Sequence, residues 1–189
     1  MPKVELLTVS DALGLFSLRG AYLIGYSWLF GMSLWVTFIG GVIAFKSLPR
    51  QQFGALQHRT FPIYFGISIG LASGLLGLWT YSHPTVLQYA AQPQVADVAQ
   101  AYTLASIVIS QLLNQLVIGP LTSKTMFQRH KLEKAEGKSY NEAGVSAEMK
   151  ALNSKFARLH GYSSLANLTA VIACVFHGLW IGNKGLGSL

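Results

Sequence analysis

Residues 21–45 read AYLIGYSWLFGMSLWVTFIGGVIAF, twenty-five positions without an Asp, Glu, Lys or Arg. At about 1.5 Å of rise per residue, such a helix crosses a hydrocarbon core of about 30 Å with room for tilt. Lys46, Ser47, Leu48, Pro49 and Arg50 follow directly. Pro49 disfavours helical backbone in the residue before it, so the first span ends there.

The same rule finds three more spans. A second apolar run starts at Phe61-Pro62, where proline is tolerated in a first helical turn, and reaches Tyr81. A third covers 101–121 and closes at Gly119-Pro120. A fourth covers 162–181. The fold class is therefore all-α, a polytopic membrane protein with a bundle of four transmembrane helices in a single domain over 1–189. The connections read as a short polar hairpin at 46–60, a neutral loop at 83–100 with room for a short interfacial helix, and a basic loop at 122–161. Two helical pieces, 123–136 and 146–160, fit the basic loop and join near Gly137 and Gly144. Ahead of the first span, Glu5 and Asp11 interrupt the apolar run that a signal sequence requires. Residues 4–18 read as an amphipathic segment lying on the membrane through Leu6, Leu7, Leu13, Phe16 and Leu18, or else as an ordinary packed terminus.

Composition agrees. Only 11% of the 189 residues are charged, whereas soluble domains carry about a quarter. Of the fourteen Lys and Arg, only Lys3, Arg19 and Lys184 fall on the side of the termini and the middle loop. The rest lie in 46–60 and 122–161, so those loops are predicted to face the cytosol, with an endomembrane or plasma membrane favoured and a mitochondrial one left open. A net charge of +7 confined to such loops gives no reason to expect a nucleic-acid partner. The expected partners are the bilayer and its anionic head groups, with a protein partner or a second copy of the chain besides. Cys174 is the sole cysteine, so an intrachain disulfide is excluded.

Within the spans, Gly66, Gly70 and Gly74 recur every fourth residue and mark a face for close helix contact, inside the monomer or between two copies. Polar residues mark other faces. Ser110, Gln111 and Asn114 lie on the third helix, and Asn167 and His177 on the fourth. Amides and imidazole facing lipid are costly, so these faces turn inward, to bond one another or to line a solvated path. Cys174 and His177 are too few to hold a metal, and no cofactor motif is present. Acidic residues lie outside the spans and no nucleophile elbow occurs, so an enzyme is not expected.

Two blocks carry a resemblance. Trp35-Val36-Thr37-Phe38, Gly41, Phe45, Ser47-Leu48-Pro49-Arg50, Phe53-Gly54, Gln57, Phe61-Pro62, Tyr64-Phe65 and Ile67-Ser68 form the first. Ala151-Leu152, Phe156, Arg158, His160-Gly161, Ser163-Ser164-Leu165 and Asn167-Leu168 form the second, with Asn114, Pro120, Thr122 and Met126 as a weaker third between them. Together they resemble the signature of the transmembrane protein 205 family. In that family an acidic residue often precedes the proline, where this chain has Gly119. The resemblance implies a four-helix multipass protein without a defined activity, whose animal members are linked to platinum-drug tolerance and to vesicle or surface membranes. Soft sulfur ligands suit platinum, but Cys174, Met32, Met126 and Met149 are dispersed, and that activity is not carried over.

The matched blocks predict one interfacial site around Arg50, Gln57, His160, Ser164 and Asn167, or simply a locked hairpin. The expected role is a non-catalytic scaffold, assembly or trafficking factor. The alternative is a small transporter or lipid- or small-molecule-binding protein. A cavity lined by Ser110, Gln111, Asn114 and Asn167 separates the second from the first, which calls for a dry, close-packed bundle.

Overall fold

The structure, a computed structural model, describes residue 4 and residues 6–187. Lys3, counted above for orientation, and Glu5, read into the N-terminal segment, lie outside the described residues. Among the described residues all regular structure is helical. Four helices are long and apolar enough to cross a membrane: α2 (Leu18–Ser47), α3 (Arg50–Ser82), α5 (Ala96–Glu136) and α6 (Ala147–Lys184). Two short helices, α1 (Val9–Gly14) and α4 (Thr85–Gln88), complete the set.

The starts follow capping chemistry. The Ser17 hydroxyl accepts from the Gly20 amide at 3.2 Å, and the Ser146 hydroxyl from the Met149 amide at 3.0 Å. At the end of α5, Gly137 takes the left-handed conformation (φ 64°). The short α1 carries a capping box between Thr8 and Asp11 and buries none of its residues. It is not packed on the bundle, and Leu6, Leu7, Leu13 and Phe16 are all exposed.

Two expectations are corrected and a third is narrowed to one of its alternatives. The 46–60 hairpin is not a loop, because only Leu48 and Pro49 separate α2 from α3. Pro49 is extended (φ −54°, ψ 144°) and turns the chain at once. The polar residues after it lack turn chemistry and stay helical, so Pro62 lies inside α3 rather than at its start. Next, Gly119-Pro120 does not end the third long helix. The backbone widens into a π-helical turn over Asn114–Ile118, and Gly119 bonds back five residues to the Asn114 carbonyl. Such a turn absorbs a residue whose missing amide breaks the regular ladder. It also explains glycine at 119, since a Cβ there meets the Asn114 carbonyl oxygen at 2.6 Å. Finally, Gly66, Gly70 and Gly74 do not pack inside the monomer, because a Cβ on any of them meets open space. The opposite face of α3 carries Tyr64, Phe65, Ser68, Ala72, Leu75 and Trp79, and these larger side chains claim the core. More contact atoms per residue make that face the better one to bury.

The basic segment follows the helical reading and extends it. Its pieces are continuations of α5 and α6 around a turn at 137–146. With 41 residues, α5 measures about 60 Å, twice a bilayer core, so its Lys- and Arg-bearing end projects beyond the membrane.

The bundle packs unevenly. At the end holding the termini, Tyr22, Tyr26 and Leu29 of α2 meet Leu75 and Trp79, Leu104 and Ile107, and Ala170 and Cys174 in one core. Past Leu34, α2 enters its own π turn (Trp35–Gly40) and buries no further residue through Ser47. The second half of the first helix thus stands off from its neighbours at the basic end.

Candidate functional site

That separation leaves a cavity of about 1190 Å³ between the second half of α2, the first half of α3, the far part of α5 and the start of α6. Ligand sites for drug-sized molecules run to about 300–1,000 Å³, so this space admits a larger guest. Its walls are mostly apolar, with Val42, Phe45, Phe53, Phe61, Phe65 and Phe156 prominent. Phe45 and Phe53 meet edge to face at 5.4 Å, closing the wall beside the α2–α3 turn. From α6, Asn153, Ala157, His160, Ser164 and Asn167 reach the cavity at four- and three-residue steps, one face of a helix.

The floor is a hydrogen-bonded knot at mid-bundle. The Tyr64 hydroxyl donates to Asn167 Oδ1 at 2.8 Å, and Asn167 Nδ2 donates to Thr37 Oγ1 at 2.7 Å. Gln111 Nε2 reaches both the Tyr64 hydroxyl and Asn167 Oδ1 at 3.4 Å, and Ser33 Oγ lies 3.3 Å from Tyr64. All four long helices are tied at one level. Asn114 Nδ2 donates to the Ser163 carbonyl at 3.1 Å, while its Oδ1, although buried, has no partner. The Gln115 amide oxygen is likewise unpartnered, and both residues line the cavity.

The mouth is cationic. Arg50, Lys124 and Arg129 line it, and among the described residues no Asp or Glu does. Arg50 is ion-paired with Glu133 and lies 4.0 Å over the Tyr140 ring. Arg129 stands 4.3 Å over the same ring and 4.5 Å over Phe156. The Tyr140 amide donates to Glu133 at 2.8 Å, and its carbonyl accepts from Asn153 at 2.7 Å. The 137–146 turn is thereby strapped across the cavity end. His130, beyond the apolar span, is pushed below its ordinary pKa by burial first and by the Arg50 charge next. That shift favours the neutral imidazole at His130, beside the Arg50 and Arg129 guanidinium groups.

All five residues of the predicted interfacial site, Arg50, Gln57, His160, Ser164 and Asn167, line this one cavity, as does Asn114. The predicted polar faces divide instead of forming one path. Ser110 and Gln111 are buried beside the cavity without lining it. His177 belongs to a second, distant knot, where Nδ1 donates to Gln100 Oε1 at 2.9 Å and Nε2 accepts from the Tyr22 hydroxyl at 2.7 Å. The assigned tautomer follows from that pair of partners. Sequence reasoning missed Tyr64 as the hub, and the Arg129–Glu133–Tyr140 cluster. The only sign of it in the sequence is the four-residue spacing of Thr125, Arg129 and Glu133, all three of which the structure buries.

A domain of unknown function (DUF4149) matches residues 24–131, which cover α3, most of α2 and α5 as far as the cavity mouth. Transmembrane protein 205 of Danio rerio is 28% identical over 160 residues, covering 78% of this chain and 82% of that protein. Xanthocillin biosynthesis cluster protein D of Aspergillus fumigatus is 24% identical over 168 residues, covering 89% and 91%. No solved structure matches. With its matched domain spanning more than half its length and forming three of the four cavity walls, the chain belongs to the transmembrane protein 205-like family, defined by that domain of unknown function.

Proposed function

We propose that this protein binds an amphiphilic small molecule within the membrane, as a carrier or receptor without covalent chemistry. One observation carries the reading: a 1190 Å³ cavity with aromatic walls, a polar floor and a cationic mouth. A dry bundle acting only as a scaffold has no use for such a space. By the excess of Lys and Arg at that end, the mouth faces the cytosol, in an endomembrane or plasma membrane. The test is saturable binding of a fluorescent phosphatidylcholine to the full-length protein in mild detergent. Ala157→Phe, which narrows the cavity, should weaken binding at least fivefold, whereas Leu165→Phe on the outer face of α6 should not. Unsaturable partitioning, equal in all three proteins, would dispose of the proposal.

A second reading, scaffolding by helix contact, draws support from the outward glycine face of α3, which suits a second copy or another membrane helix. Its test is crosslinking in native membranes. Gly70→Leu should abolish a dimer band if copies meet there.

A further inference from the structure

Arg129 is only 5% exposed although it sits near the end of the basic extension, and its Nε has no hydrogen-bond partner. A buried guanidinium with an open donor is costly unless something else completes it. Glu133, the nearest carboxylate in sequence, serves Arg50 and the Tyr140 amide through Oε1, while its buried Oε2 and the Arg129 Nε each lack a hydrogen-bond partner, so the two do not complete one another. The Tyr140 and Phe156 rings hold the Arg129 plane from 4.3 and 4.5 Å, which fixes its orientation without neutralising its charge. The group lines the cavity, and Arg50 and Lys124 line it too, with no acid among the described lining residues.

Resting on the cavity reading above, we propose that the guest is an anionic acyl lipid whose phosphate or carboxylate is held by Arg129, with Arg50 and Lys124 beside it. The acyl part then occupies the aromatic chamber and the head group completes the open guanidinium donor. A guanidinium fork suits an oxyanion in two-point contact better than a single ammonium does. A zwitterionic lipid brings its own cation to a mouth that already holds three.

The experiment titrates the full-length protein with dioleoyl phosphatidic acid and with dioleoyl phosphatidylcholine, reading occupancy by native mass spectrometry. Inorganic phosphate serves as a competitor. The expected result is at least a tenfold preference for the anionic lipid, untouched by millimolar phosphate. Arg129→Gln should reduce the preference to under threefold while phosphatidylcholine binding persists, and Arg129→Lys should keep part of it. Equal affinity for the two lipids in the wild type, or an unchanged preference in Arg129→Gln, overturns the head-group assignment and leaves the cavity reading standing. Displacement of the lipid by phosphate alone assigns the site to a free anion and overturns the lipid. Binding of neither lipid overturns both readings.

Discussion

Replacing Asn167 with Leu tests whether the mid-bundle knot holds the four helices at one level. The change keeps volume nearly constant and removes two short hydrogen bonds, from Tyr64 at 2.8 Å and to Thr37 at 2.7 Å, together with the longer Gln111 contact. Interhelical bonds in membranes contribute about 0.6 kcal/mol each on average and about 1.7 at most. Two of them give about 1–3 kcal/mol. The lower half applies here, because Tyr64 retains Ser33 at 3.3 Å and need not go unpaired. The expected loss is therefore about 1–2 kcal/mol, read from reversible unfolding in mixed micelles. Tyr64→Phe removes the same bond from the other side. If that bond is the main coupling, the double variant should be less destabilised than the sum of the singles by about 0.6–1.5 kcal/mol. Strict additivity within about 0.3 kcal/mol, or an Asn167→Leu protein as stable as the wild type, would refute the knot.

Three further outcomes follow from the geometry. A Cβ on Gly178 would stand 1.9 Å from the Tyr26 hydroxyl, so Gly178→Ala should cost about 1–3 kcal/mol by overpacking, whereas Gly70→Ala meets open space and should leave the melting temperature of the monomer unchanged. Glu133→Gln removes the Arg50 ion pair; Arg50 is partly exposed, which limits the loss to about 1 kcal/mol, and faster amide exchange confined to residues 137–146 is the expected readout. The Asp11 carboxylate accepts from the Thr8 hydroxyl and amide, which hold it below its ordinary 3.8. Its folded pKa lies below the unfolded one, so the α1 cap is at full strength above 3.8 and is lost as pH falls beneath that. Amide exchange over residues 9–14 should rise only in that acidic window, and a rise near neutrality would contradict the capping box.

Much of this architecture is local and hence legible in the chain. Four charge-free stretches fall within helices long enough to cross a membrane, and Ser17 and Ser146 start two of them by bonding amides three residues on. The site was partly legible as well. Arg50, Gln57, His160, Ser164 and Asn167, grouped in the sequence by the two blocks that carry the family resemblance, share a cavity, and the last three lie on one face of α6. A proline's effect on a helix depends on what the neighbouring backbone can absorb, and the π turn at 114–118 absorbs Pro120 where the dipeptide by itself signals a stop.

Hydropathy and residue spacing alone determined which segments enter the bilayer, because burial of each in lipid depends on its own side chains. Tertiary structure decided which faces met. It turned the glycines of α3 outward, brought Tyr64 of α3 to Asn167 of α6, and held the second half of α2 away from its neighbours. Lipid tails are as apolar as a helix face, so no single helix carries the information about which side should face protein; only the competition among all four for packing and hydrogen bonds supplies it.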